Sequence, residues 1–234
     1  MTASYFKVLN TAGIVQISDD YHNLAFIQKS IVTTTTSIFT NGSTVTVSGG
    51  TFTYTGTTPI IAIRSSALAT ITGASKSGST WTYSFAIAGP IGSTATIYIF
   101  DEPQALSGNE YGLIVKNASN KIVYDSNQKY MKLVDFQYLT MPNSGTIGVG
   151  GLPTPPSYTY TGNSSKVYAA VFARPGGYTI TYPGGPGVPS QTQSFVLGAK
   201  YTSSGIEFDM MSFGVIPSYN YGNSAIMVID VTNY

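Results

Sequence analysis

The sequence predicts an all-β protein made of two tandem β-sandwich-like domains of the immunoglobulin-like type. Short runs that alternate apolar residues with Thr or Ser recur along the chain, as expected for strands with one buried face. No segment keeps apolar residues at helical spacing for more than about one turn. An internal repeat divides the chain into two halves, which predicts two domains.

The strands follow one another with turn residues between them. Residues 43–48, 51–55, 81–87 and 94–100 are typical runs, rich in Thr, Tyr, Val, Ile and Phe. The glycine pair at residues 49–50 separates the first two runs. Because glycine tolerates the positive φ of tight hairpins, this pair predicts a turn.

The repeat appears when the chain is shifted by 107 positions, so that residues 6–18 lie over residues 113–125. Both segments are expected to form a strand, a turn and a second strand. The two halves also end alike, since residues 97–101 (IYIFD) resemble residues 226–230 (IMVID). The predicted domains are therefore residues 1–104 and 105–234. The matched pairs are Val8 with Val115, Asn10 with Asn117, Val15 with Ile122, Leu24 with Met131, and Phe26 with Leu133.

Two segments of the second half are rich in Gly, Pro, Ser and Tyr, and they predict long loops at residues 141–165 and 183–193. Long loops in compact domains are usually functional or mobile. Tyrosines in or beside them offer rigid, amphipathic contact area. The candidate contact surface is Leu152, Tyr158, Tyr160, Tyr178, Tyr182, Tyr219 and Tyr221.

The composition argues against most catalytic and nucleic-acid-binding functions. Charged residues make up 9% of the chain and the net charge is +1, so the basic surface of a nucleic-acid binder is not expected. With no Cys and one His, the chain predicts no metal site, no cofactor and no enzymatic activity. The sequence has neither a membrane-spanning apolar stretch nor the pattern of a secretory signal, which predicts synthesis in the cytoplasm without membrane insertion.

Two chemical hypotheses remain. Glu207 and Asp209 stand two positions apart on an expected strand, so both carboxylates face one side of a sheet, as a glycoside hydrolase would need. The alternative is that Ile206, Phe208 and Met210 simply mark a core strand. His22 lies in a polar turn, where an exposed residue is expected rather than a catalytic base.

Residues 111–134 (YGLIVKNASNKIVYDSNQKYMKLV) resemble the opening motif YGL-x-V-x-N-x-x-G-x-x-x-x-D-S of small tail, tail-tip and fibre proteins of tailed bacteriophages. Residues 5–27 resemble a degenerate second copy. The resemblance covers about a fifth of the chain, and it implies a virion structural role without catalysis. One departure is Asn120, which replaces the turn glycine, although Asn also tolerates left-handed geometry.

The expected function is therefore a phage virion protein of the tail tip, baseplate or fibre, made in the host cytoplasm and assembling with itself and other tail proteins. The resemblance favours a trimer. Low charge is consistent with assembly, because little electrostatic repulsion opposes association. The alternatives are a receptor- or glycan-binding module, a capsid decoration protein, and the carboxylate-dependent hydrolase.

Overall fold

The computed structural model describes residues 7–9, 11, 15–18, 23–41, 44–104, 112–142, 145–146, 156–182, 191–214 and 222–234. Every regular element in these residues is a β-strand, so the all-β prediction is confirmed. None of the described residues belongs to a helix long and apolar enough to cross a membrane. The strands are β1 Lys7–Leu9, β2 Val15–Ser18, β3 Ala25–Thr33, β4 Thr36–Asn41, β5 Thr44–Thr55, β6 Ile60–Arg64, β7 Ala69–Ser77, β8 Thr80–Ile87, β9 Thr94–Asp101, β10 Ile114–Lys116, β11 Ile122–Asp125, β12 Leu133–Leu139, β13 Gly145–Thr146, β14 Tyr158–Thr161, β15 Tyr168–Arg174, β16 Gly177–Tyr182, β17 Gln191–Tyr201, β18 Gly205–Ser212 and β19 Ser224–Asp230.

Two main sheets pack face to face as a sandwich. The six-stranded sheet has the order β12-β19-β15-β6-β9-β3, with every neighbour antiparallel. The nine-stranded sheet has the order β13-β16-β17-β7-β8-β5-β4, and β18 joins it by pairing with β17 and β14. Its strands are antiparallel except β13, which runs parallel to β16. The remaining strands form two separate hairpins, β1-β2 and β10-β11.

The two hairpins repeat each other at the offset seen in the sequence. In the first, Lys7 pairs with Ser18 and the register shifts before Leu9. In the second, Ile114 pairs with Asp125 and the register shifts before Lys116. Both the strand bounds and the bulge therefore recur 107 positions later.

The edge strands of the six-stranded sheet, β3 and β12, repeat each other too. The register of β3 against β9 shifts between Phe26 and Gln28. The register of β12 against β19 shifts between Leu133 and Asp135, at the same offset. A bulge bends its strand and is specific to its position. Its recurrence shows that β3 and β12 occupy equivalent places in the two halves.

Each half supplies its own core between the sheets. The buried members of the first inner core all precede residue 104, and include Ile63, Phe85 and Ile97. Those of the second all follow residue 140, and include Leu197 and Phe208. The half-buried ring of Phe172 packs against both cores and joins them.

The sheets nevertheless continue from one half into the other. In the six-stranded sheet β15 pairs with β6, with Ala170 opposite Ile63 and Val171 opposite Ala62. The buried cluster that contains Ala62, Val171 and Ile229 draws on both halves. The division into domains at residue 104 thus stays a prediction about folding units, and the sheets themselves extend across that position.

One predicted turn is wrong. Gly49 and Gly50 lie inside the long strand β5, where they pair with Ala86 and Phe85 of β8. A Cβ on Gly49 would come within 2.5 Å of Ile38 Cδ1, and one on Gly50 within 3.0 Å of the Phe85 ring. The glycines are required there by close packing, which a sequence pattern does not distinguish from a turn.

Asn120 adopts the left-handed conformation expected at the turn of the second hairpin. Its φ is 62°, in the left-handed region that a glycine at this position of the motif would adopt without strain. Asn117 organises the same turn, because its side-chain Oδ1 accepts hydrogen bonds from the backbone N–H groups of Ser119 and Lys121, both at 3.0 Å.

A buried carboxylate lies at the end of β9, the last strand of the first half. Asp101 is 2% exposed, and its oxygens accept hydrogen bonds from the backbone N–H groups of Thr57 and Thr58, both at 2.9 Å, and of Glu102 at 2.8 Å. The Tyr54 hydroxyl also donates to Asp101, at 3.2 Å. Burial and then the neighbouring Asp101 raise the pKa of Tyr54. The carboxylate thereby fixes the loop between β5 and β6 onto the end of β9.

Asp230 occupies the matching position at the end of β19. It is 5% exposed and accepts hydrogen bonds from Lys166 Nζ at 2.8 Å and from the Thr232 hydroxyl at 2.6 Å. Burial alone would raise the pKa of Asp230, but the bonds from Lys166 and Thr232 outweigh it and lower the pKa from 3.8 to about 2.

Replacing Asp101 tests its structural role. We expect Asp101→Ala to lower the free energy of unfolding by about 3 kcal/mol, because the buried Tyr54 hydroxyl and three partly buried backbone N–H groups lose their acceptor, and an unsatisfied buried donor costs about 1–3 kcal/mol. Urea denaturation followed by circular dichroism measures the change. The control is Thr53→Ala, which removes an exposed side chain on β5. An equal, small loss in both variants would contradict the assignment.

The lowered pKa of Asp230 predicts how the stability of the folded protein changes with pH. Since its pKa is lower in the folded state, its stabilisation is complete above the unfolded-state pKa and disappears as the pH falls toward about 2. We expect the stability gap between the natural protein and Asp230→Asn to be larger at about pH 6 than at about pH 2.5. Urea denaturation at both pH values measures it, and a gap that does not change would refute the lowered pKa.

Candidate interaction surface

Tyr158 and Tyr160 lie on β14, within a stretch that the sequence predicted to be a loop. This strand pairs antiparallel with β18. The rings pack against the second inner core, while the intervening Thr side chains are exposed. The loop prediction is wrong here, because alternating Tyr and Thr is itself a strand pattern. Residues 158–162 (YTYTG) in fact nearly repeat residues 52–56 (FTYTG), most of which belong to β5.

The other described candidate tyrosines also have structural partners. Tyr178 is only 3% exposed and stacks on Phe195 with ring centroids 5.1 Å apart, so its ring is part of the buried interior rather than a contact surface. Tyr182 is half-buried and its hydroxyl donates to Gln193 Oε1 at 3.2 Å. The remaining candidates Leu152, Tyr219 and Tyr221 lie outside the described residues, as does His22.

The two carboxylates considered for hydrolysis lie on β18, each with a local partner. Glu207 forms an ion pair with Lys200 of β17, at 2.9 Å. Asp209 Oδ1 accepts the backbone N–H of Met210 at 2.7 Å. No group of three or more His, Cys, Asp or Glu in the described part of the chain could hold a metal ion. These contacts account for both side chains as surface residues of a strand.

An apolar cleft of about 330 Å³ lies where the two halves meet, lined by residues that include Pro59, Ile71, Phe172 and Pro175. The Tyr83 hydroxyl in its lining donates to the Pro59 carbonyl, at 3.4 Å. Ligand sites for polar molecules need several convergent polar groups. This cleft therefore suits an apolar group better than a sugar.

The most exposed apolar surface of the described second half lies on β12. Phe136 and Tyr138 are each 55% exposed, and Leu133 and Val134 are also exposed. Phe136 and Tyr138 stand two positions apart after the bulge, so they share the outer face of the six-stranded sheet, and the exposed Val134 of the bulge precedes them. We call these three residues the β12 row. None of the three is among the candidate contact residues that the sequence predicts.

The polar residues of β12 face inward instead. Asp135 Oδ2 accepts a hydrogen bond from the Tyr158 hydroxyl at 2.5 Å, and Gln137 Nε2 donates to Asp135 Oδ1 at 3.2 Å. The bond with Asp135 and then burial raise the pKa of Tyr158. Leu139, on the same side, packs against the second inner core. Because the polar side chains have partners between the sheets, the aromatic ones are left facing outward.

The equivalent strand β3 has a different exposed face. At the offset of the repeat, Lys29 corresponds to Phe136, and Ile31 corresponds to Tyr138. Lys29 Nζ donates to the Tyr234 carbonyl at 3.2 Å and lies over the Tyr98 ring. The two edges of the six-stranded sheet therefore share a backbone pattern but differ in charge, and only the β12 row is free of charged residues.

Comparison with known proteins gives no assignment. The chain matches no protein-family model, no curated protein and no solved structure at a significant level.

Proposed function

We propose that the chain is a structural protein of a tailed-bacteriophage virion, a component of the tail tip, baseplate or fibre that assembles through uncharged β surfaces. The observation that carries the proposal is the motif at residues 111–134, whose hairpin occurs twice with the same register and the same bulge. The left-handed Asn120 supplies the geometry of the glycine that the motif normally has.

The surface chemistry supports an assembling protein. Only 9% of residues are charged, and the β12 row places aromatic side chains on an outer sheet face. Large exposed apolar patches on soluble proteins generally mark interaction sites. Partners in this proposal are other copies of the chain, with three-fold symmetry favoured by the resemblance, and neighbouring tail proteins. Contact with a host receptor would be a second role of the same particle.

The second candidate is a receptor- or glycan-binding module. Exposed tyrosine and phenylalanine rings on β12 favour it, because aromatic faces serve as platforms for sugars. The inward position of Asp135 and Gln137 weighs against it, since a sugar site needs polar groups beside its aromatic platform.

We further propose that each half is an immunoglobulin-like folding unit. The separate inner cores and the repeated bulges support this division. Residues 1–104, expressed alone, should give a β-type circular dichroism spectrum and a cooperative unfolding transition. A disordered spectrum would argue that the pairing of β6 with β15 is needed for either half to fold.

Localisation tests the virion role directly. Antibodies raised against the purified protein, labelled with gold, should bind at one fixed position on intact phage particles in the electron microscope. A mutant phage that lacks the protein is the control for specificity. Particles that carry no label, and whose purified proteins lack this chain by mass spectrometry, would refute the proposal.

A further inference from the structure

We propose that two copies of this chain pair through β12, antiparallel about a two-fold axis, so that the six-stranded sheet continues from one copy into the other. The inference deepens the proposed function, on which it rests for the expectation of self-assembly, by naming the first partner and the contact. It concerns one interface, and a three-fold arrangement of the resulting pairs would use other surfaces.

The backbone of β12 provides the first argument. This seven-residue strand is at the end of the sheet order and, among the described residues, pairs only with β19. An edge strand presents a row of unpaired N–H and C=O groups, which can form a ladder with another strand. A second β12 that runs antiparallel satisfies both rows at once.

The side chains provide the second argument. An antiparallel pair of β12 strands would bring the two β12 rows together on one sheet face, where opposite residues have Cβ atoms about 4.5–5.5 Å apart. The row continues onto β19, because Met227 lies opposite Phe136 and Ala225 opposite Tyr138. The pair would join these residues into one apolar band across the two copies and would bury the sides of the two rows that face each other.

The absence of charge in its exposed row favours β12 over the equivalent edge strand β3 as the contact strand. In a two-fold interface residue i of one copy meets residue j of the other, so only a residue on the axis faces its own copy. In a fully overlapped pair of β3 strands that residue is Lys29, the middle residue of Ala25–Thr33, and in a pair of β12 strands it is Phe136. Like charges on directly opposite residues destabilise a strand pair. Lys29 on β3 would face this repulsion, whereas its counterpart on β12 is Phe136. Lysine on an edge strand is a common protection against unwanted pairing, and β12 lacks it.

The chain already contains one contact of this kind. β6 and β15 are equivalent strands of the two halves, since each lies beside the last strand of its half, β9 or β19. They pair with each other antiparallel, with Val171 opposite Ala62. The repeated unit can thus join a copy of itself through matching strands, which is the geometry proposed for two β12 strands.

The mass of the full chain in solution tests the pairing. Light scattering during size-exclusion chromatography should give a dimer for the natural protein. Phe136→Lys, which copies the residue present on β3, should halve the mass while the circular dichroism spectrum stays that of the natural protein and unfolding stays cooperative. The matched control is Ile31→Lys on the equivalent strand, which should remain dimeric.

Cysteine cross-linking identifies the strands in contact. The natural chain has no cysteine, so Val134→Cys, Phe136→Cys and Tyr138→Cys each introduce a single thiol. A disulfide needs Cα atoms about 4.4–6.8 Å apart, a spacing that opposite residues of an antiparallel pair provide. At least one of these variants should form a disulfide-linked dimer on mild oxidation, and Ile31→Cys should not.

Three results would overturn the inference. The first is a monomeric natural protein, and the second is a Phe136→Lys variant that stays dimeric. The third is a disulfide between a β12 cysteine variant and Ile31→Cys when the two are mixed, which would show head-to-tail pairing of β12 with β3. None of these results bears on the gold labelling of virions. A labelled particle combined with a monomeric protein in solution would reject the β12 contact and leave the virion role standing.

Discussion

The pairing of β6 with β15 is the constraint on which the rest of the structure depends. It places Ala62 opposite Val171 and merges the strands of two similar halves into one sheet. The buried cluster on the outer sheet face contains residues from both halves. The outer edges, β3 and β12, are left at the two ends of the sheet as a consequence.

Each half is then closed by a buried carboxylate at the end of its last strand. Asp101 holds backbone N–H groups of a loop, whereas Asp230 binds Lys166 and Thr232. The two positions are equivalent, but their partners differ, so the carboxylates stabilise the halves by different means. A buried carboxylate is tolerated in both because its oxygens are fully hydrogen-bonded.

The surface proposed for assembly arises because β12 turns its polar residues inward and its aromatic residues outward. In β12 the polar residues Asp135 and Gln137 face the second sheet, where Tyr158 binds Asp135, and Phe136 and Tyr138 face outward. The usual rule that apolar residues face the core would assign the opposite orientation. The bulge between Leu133 and Asp135 sets which residues face outward, since a shift of one position turns every side chain to the other face.

The sequence by itself determined the β class, the repeat at 107 positions and the left-handed turn at Asn120, because alternation and turn chemistry are local properties. Its near repeat of FTYTG as YTYTG would also have revealed β14. Only the tertiary structure decided that Gly49 and Gly50 lie inside a strand, that Tyr178 is buried, and that the β12 row is exposed. These three outcomes depend on which distant strands become neighbours, and residues far apart in the chain set that pairing.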